Sequence, residues 1–140
     1  MKKTLLTLIS FAFILVSFKS AKEGVNFQSG NWSEVTKEAK EEGKPIFALV
    51  CTSSCSRCAK MKEDIFSDPE VARYFNENFV SIIVNPDEDP MSNMRVTNWG
   101  VTTTPSYVFL DSKKKVQHIG KGLMTKEEIL EEAESALGDM

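Results

Sequence analysis

Two apolar runs of strand length, PIFALVCT at residues 45–52 and FVSIIVN at residues 79–85, constrain the fold of this chain more than any other feature. Neither run alternates polar with apolar residues. Both are rich in Ile, Val and Phe, as expected of strands covered on both faces, which occur centrally in sheets with helices packed on either side. Two helical patterns separate them. In SSCSRCAKMKEDIF, residues 53–66, Cys58, Met61 and Ile65 share one stripe while Lys60, Lys62 and Glu63 lie elsewhere. Ser53 or Ser54 is the expected cap of that helix. Asp68-Pro69 pairs a capping residue with proline at the first helical position, and opens EVARYFNEN.

The flanking segments complete the pattern. NWSEVTKEAKEE, residues 31–42, places Trp32, Val35 and Ala39 at helical spacing and meets a stop at Gly43. Pro86 to Pro90 is an acidic, proline-bounded stretch expected to be an exposed loop, with Asp87, Glu88 and Asp89 in solvent. MSNMRVTNWG, residues 91–100, gives no clear period and is compatible with a short helix. PSYVFLD and KKVQHIG flank the turn DSKK and predict a hairpin. Thr125 with Glu128 three residues on is a capping box, opening a last helix with Ile129, Ala133 and Leu137 on its apolar face. Strands alternate with helices and then close in a hairpin. The expected class is α/β, a mixed central sheet with helices on both faces and a C-terminal β-hairpin plus helix.

The chain opens MKKTLLTLISFAFILVSFKSA, two lysines followed by an apolar run from Thr4 to Phe18 and then small residues. That is the pattern of a secretory signal over residues 1–21. The run is short of the roughly 20 residues that span a bilayer, so no stable membrane span is expected. Export would place the protein in a periplasmic or extracellular compartment, where cysteine pairs can cycle or persist as disulfides. Residues 22–140 then form one domain. Without Lys2, Lys3 and Lys19, the 17 basic residues fall to 14 against 20 acidic ones, a net charge of −6 that disfavours a nucleic-acid partner.

All three cysteines fall in CTSSCSRC, residues 51–58, too few for a disulfide scaffold. Cys55 and Cys58 form C-x-x-C, a redox spacing. Cys51 and Cys55 form C-x-x-x-C, a copper-type pair, and the three together match the spacing that holds an iron–sulfur cluster. A cluster suits a small exported domain poorly. Copper usually needs a histidine as well, and His118, in the predicted edge hairpin, is the only one. The redox reading agrees with the local context, because the pair lies where a buried strand gives way to a helix. Unpaired N–H groups and the helix dipole favour a thiolate at Cys55, with Arg57 adding positive charge. Cys58, one turn deeper, would then be the resolving thiol. Cys51, at the end of a buried strand, reads as a core residue.

KPIFALVCTSSCSRCAKM, FSDPEVARYFNENFVSIIVN and WGVTTTPSYVFLD, in that order, resemble the thioredoxin superfamily, in particular exported thioredoxin-like domains of thiol:disulfide interchange proteins. The resemblance spans roughly residues 31–137. It implies a thioredoxin-like fold and a thiol–disulfide oxidoreductase with Cys55 and Cys58 catalytic and Ser54, Ser56, Arg57 and Cys51 as neighbours. It also implies a cis bond at Thr104-Pro105, with Thr104 and Pro105 meeting the substrate. Trp32 and Trp99 read as core or rim aromatics, and a patch of Pro105 and Trp99 is a candidate dock for a client. Protein thiol or disulfide clients and an unidentified redox partner follow, with no cofactor and no metal. Three positions depart from the family pattern: Ser54 replaces a tryptophan, Leu49 replaces a buried acid, and Ser56-Arg57 replaces the frequent Gly-Pro. The competing expectation is a thioredoxin-fold binding module, or a copper chaperone using Cys51 and Cys55 without redox turnover.

Overall fold

The computed structural model describes residues 24–28 and 31–140. The expected signal at residues 1–21 lies outside them. A five-stranded sheet runs through the molecule in the order β1-β3-β2-β4-β5, formed by β1 (Phe27–Gln28), β2 (Ile46–Val50), β3 (Val80–Val84), β4 (Ser106–Leu110) and β5 (Val116–Lys121). β1, β3 and β2 are parallel, whereas β4 and β5 turn antiparallel. The mixed sheet and the C-terminal hairpin are therefore as the sequence predicts.

Among the described residues five helices flank the sheet: α1 (Trp32–Glu42), α2 (Ser56–Lys60), α3 (Pro69–Asn78), α4 (Pro90–Asn98) and α5 (Lys126–Gly138). Local chemistry sets their starts. Asn31 and Glu34 exchange side-chain and backbone hydrogen bonds in a capping box, as do Thr125 and Glu128. Asp68 accepts from Glu70 and Val71 ahead of Pro69. Gly43 ends α1 at φ 65, a left-handed conformation that costs glycine little. α2 continues without a break into one π-turn, Met61–Ile65.

The strand residues alternate between two cores. Phe47, Leu49 and Cys51 face α2, α3 and α5, where Cys58, Met61, Val71, Phe75, Ile129, Ala133 and Ala136 are buried. Ile46, Ala48 and Val50 face α1 and α4 and meet Val35, Ala39 and Val96. β2 is buried throughout because both cores close on it, which is why it reads as an unbroken apolar run.

Four expectations need correction. The stretch from Pro86 is not loop as far as Pro90, since Asp89 caps α4 through Met91 and Ser92 and Pro90 is its first residue. Residues 91–98 are helical on the same Asp-Pro signal that starts α3. β1 was not anticipated, because two residues carry no periodicity; Phe27 and Gln28 pair with Ser81 and Ile82. In α5 the buried seam is Ile129, Ala133 and Ala136, with Leu137 half-buried beside it. The second hairpin strand starts at Val116, since Lys114 takes φ 68 within the turn.

Candidate functional site

β2 delivers the cysteines to one end of the sheet. Past Val50 the chain buries Cys51 at 3% exposure, turns through Thr52 to Ser54, and enters α2. The turn is held by the Cys55 N–H donating to the Thr52 carbonyl at 3.2 Å and by Asn85 Nδ2 donating to Ser53 Oγ at 3.1 Å. Neither Ser53 nor Ser54 caps the helix, contrary to expectation. Cys55 is itself the cap, its sulfur accepting the Cys58 N–H at 3.2 Å. A sulfur in that position takes the bond an oxygen would take in a serine cap.

Cys55 and Cys58 are joined as a disulfide with their Cα atoms 5.2 Å apart. Their access differs sharply. Cys58 is 1% exposed in the core, while Cys55 is half-buried at the surface. Only Cys55 can be reached by a large partner, so geometry separates the two sulfurs into an outer and an inner one. Leu49, earlier on β2, is fully buried and brings no carboxylate to this core.

Arg57 reaches across to the 101–105 loop, its Nη2 donating to the Thr104 carbonyl at 3.1 Å. The Thr104–Pro105 bond is cis, and Pro105 is buried with its carbonyl accepting from Gly122 at 2.9 Å. The structure thus brings Arg57, Thr104 and Pro105 together at the cysteine loop, with Ser54 and Ser56 exposed on the rim. A groove of about 290 Å³ adjoins them, bordered by Thr52, Pro86, Val96, Val101 and Thr104. Sequence reasoning missed Thr52 and the Arg57 bond; no local signal links positions 47 residues apart.

Trp99 is not part of this arrangement. Its indole lies 5.4 Å from that of Trp32 and packs on the α1 and α4 core, and Arg95 sits 4.7 Å over the Trp32 ring. His118, on the edge strand β5, pairs with Glu132 of α5 and is separated from β2 by β4. Cys51, Cys55 and His118 therefore do not converge as a copper site would require. Among the described residues no three His, Cys, Asp or Glu side chains gather as a metal site.

Burial pushes the Cys51 thiol from its ordinary 9.0 up to about 11, with Lys62 pulling it partly back, so it stays protonated near neutrality. The sign of the consequence is definite. The folded chain holds this proton more tightly than the unfolded chain, so the stability contribution is complete below pH 9.0 and is lost as pH rises toward about 11. Denaturant midpoints of the oxidised protein across that window should fall more for the wild type than for Cys51→Ala. Parallel curves would mean that Cys51 is not the buried thiol described.

A family model described as a thioredoxin-like domain matches residues 32–137. The fold is similar to that of a candidate disulphide-isomerase from Bacteroides thetaiotaomicron, at 25% identity and a TM-score of 0.75 over 84% of this chain and 97% of that one. A thioredoxin from Thermus thermophilus is similar at 23% identity and a TM-score of 0.71, covering 81% of this chain and 88% of that one. Among curated sequences, the rat spermatogenesis-associated protein 20 is 44% identical over 57 residues. That stretch is 41% of this chain but only 7% of the rat protein's length.

Proposed function

Because this chain belongs to the thioredoxin-like family over residues 32–137, we propose that it is an exported thiol–disulfide oxidoreductase acting on protein clients through Cys55 and Cys58. The observation that carries the reading is the unequal access of the two sulfurs, one half-buried at the start of a helix and its partner 1% exposed. In the reduced protein the Cys55 thiolate attacks a client disulfide. A bond forms between Cys55 Sγ and one client sulfur, and the electron pair of the broken bond leaves on the other as a thiolate. Cys58 then loses its proton and attacks Cys55 Sγ, expelling the first client sulfur and restoring the Cys55–Cys58 disulfide. Two electrons pass to the client, and an external dithiol must return them.

Three parts of the fold serve this sequence. Backbone N–H groups at the start of α2, among them that of Cys58, face the Cys55 sulfur and favour its thiolate in the reduced protein. Thr104 offers its backbone N–H to an extended client segment, since its carbonyl is taken by Arg57 and that of Pro105 by Gly122. The burial of Cys58 keeps its sulfur from outside disulfides and leaves Cys55 Sγ as the partner within its reach. With Leu49 in place of a buried acid, no carboxylate at that position assists removal of the Cys58 proton, which slows the steps that need the Cys58 thiolate. The apolar run before Ser20 supports export.

A redox titration tests the function as a whole. The Cys55–Cys58 pair should equilibrate with a dithiol buffer at a potential above about −300 mV, where cycling disulfides lie. A value far below that, with no exchange toward a protein disulfide, would mark the bond as a structural staple.

A further inference from the structure

Arg57 lies between the two cysteines, exposed, with one Nη2 proton committed to the Thr104 carbonyl at 3.1 Å. A guanidinium carries five N–H donors in a planar fork, so this bond uses one of them and fixes the direction of the rest. Among the described residues no carboxylate is paired with it. The acidic groups that do form ion pairs there serve Lys37, Lys44, Lys60, His118 and Lys126. Residues 51–62 contain Arg57, Lys60 and Lys62 and no acid, and Lys60 lies 3.9 Å from Asp64. Arg57, in the dipeptide between the two cysteines, is thus a cation held by a backbone carbonyl on one side and exposed on the other. A fork fixed in this way is arranged to take a carboxylate through two parallel bonds.

We infer that Arg57 is a specificity-determining residue that selects client segments carrying a carboxylate next to the reacting cysteine. The inference rests on the oxidoreductase reading and names the client class for that same site. The Thr104 carbonyl positions the guanidinium, and the client carboxylate docks on the donors that Thr104 leaves unused. The rest of the protein works against such clients. Residues 22–140 carry 14 basic and 20 acidic side chains, so long-range attraction favours basic segments. A preference for acidic ones would have to arise locally.

The test uses the full oxidised protein and three cysteine peptides that differ only in having Glu, Gln or Lys on both sides of the cysteine. A peptide thiolate attacks Cys55 Sγ and frees Cys58 as a thiolate. A second peptide thiol then attacks the peptide sulfur of the mixed disulfide, so two peptide thiols become one peptide disulfide and the protein gains two thiols. Second-order rate constants are read by acid quench, alkylation and mass. Each is divided by that peptide's rate with an uncharged small-molecule disulfide, which removes the effect of the flanks on the peptide's own thiol. The Glu peptide should react about fivefold faster than the Gln peptide, as for an exposed charge-assisted contact. Arg57→Gln should bring that ratio to about one, and Arg57→Lys should leave it between the two. Because the ratio compares peptides on one protein, a changed Cys55 acidity or potential in a variant cancels. A ratio near one in the wild type, a faster Lys peptide, or a ratio that survives Arg57→Gln would overturn the inference while leaving the oxidoreductase standing. Failure of every peptide to reduce the pair would sink the oxidoreductase reading itself.

Discussion

Cys58→Ser is expected to convert the protein into a trap, accumulating mixed disulfides between Cys55 and its clients. The reason is access. Attack needs an exposed thiolate, which only position 55 offers, and resolution needs a second sulfur within reach of Cys55, which only the 1% exposed Cys58 supplies. With oxygen in place of the inner sulfur, the first bond forms and nothing breaks it. Cys55→Ser should trap nothing, and turnover on a protein disulfide should fall on the order of a thousandfold or more, as when an enzyme loses its covalent nucleophile. Cys51→Ala should leave trapping by Cys58→Ser intact, because a buried thiol pushed up to about 11 is neither reachable nor ionised. Adducts on non-reducing gels, excised and mapped by mass spectrometry, decide the matter. Equal trapping by Cys55→Ser and Cys58→Ser would remove the distinction between outer and inner sulfur.

The second large effect is on stability. Phe47 is fully buried on β2, with the rings of Phe75 at 4.7 Å, Phe109 at 5.1 Å, Phe66 at 5.6 Å, Phe27 at 6.1 Å and Phe79 at 6.4 Å. These rings come from β1, β2, α3, β4 and the connections beside α3 and β3, so they lock most of one core together. Phe47→Ala removes the shared member and leaves a cavity that rigid strands cannot close. It should cost about 3–5 kcal/mol, against a total of roughly 5–15 kcal/mol for a domain. Melting should fall by at least about 10 °C, with the denaturant midpoint lowered and its slope unchanged. A loss below about 1 kcal/mol would mean that the ring cluster is not the packed core described.

Much of this was legible before any coordinates, for identifiable reasons. β2 and β3 stood out because burial on both faces erases polar alternation, leaving runs that no amphipathic helix would show. Cys55 and Cys58 could be placed because the end of such a run and the start of a helical period are both visible in sequence. What failed was of two kinds. β1 is only two residues long, and it exists because β3 offers an edge at Ser81 and Ile82, a tertiary fact. Asp89-Pro90 is the same start signal as Asp68-Pro69, but the acidic run before it reads as solvated loop and hid the beginning of α4. An apolar patch of Pro105 and Trp99 does not form as one surface, because the end of α4 turns the indole toward Trp32 of α1, in keeping with the core or rim reading of both tryptophans. The Arg57 bond to Thr104 depends on α2 and the cis-proline loop meeting at one end of the sheet, which no local pattern encodes. The cap formed by Cys55 is hidden because Ser53 and Ser54 carry the usual capping oxygen, while the sulfur of Cys55 stands where such an oxygen would.

Everything about the chemistry depends on the acidity of one sulfur. The direct measurement is the ultraviolet absorbance of thiolate in the fully reduced protein across pH, repeated for Cys55→Ser. One thiol should ionise below the ordinary 9.0 and be absent from the variant, whereas Cys51 should ionise only at about 11. If no sulfur ionises below 9.0, the ordinary value for a thiol, then the start of α2 does not activate Cys55 and the proposed attack has no nucleophile.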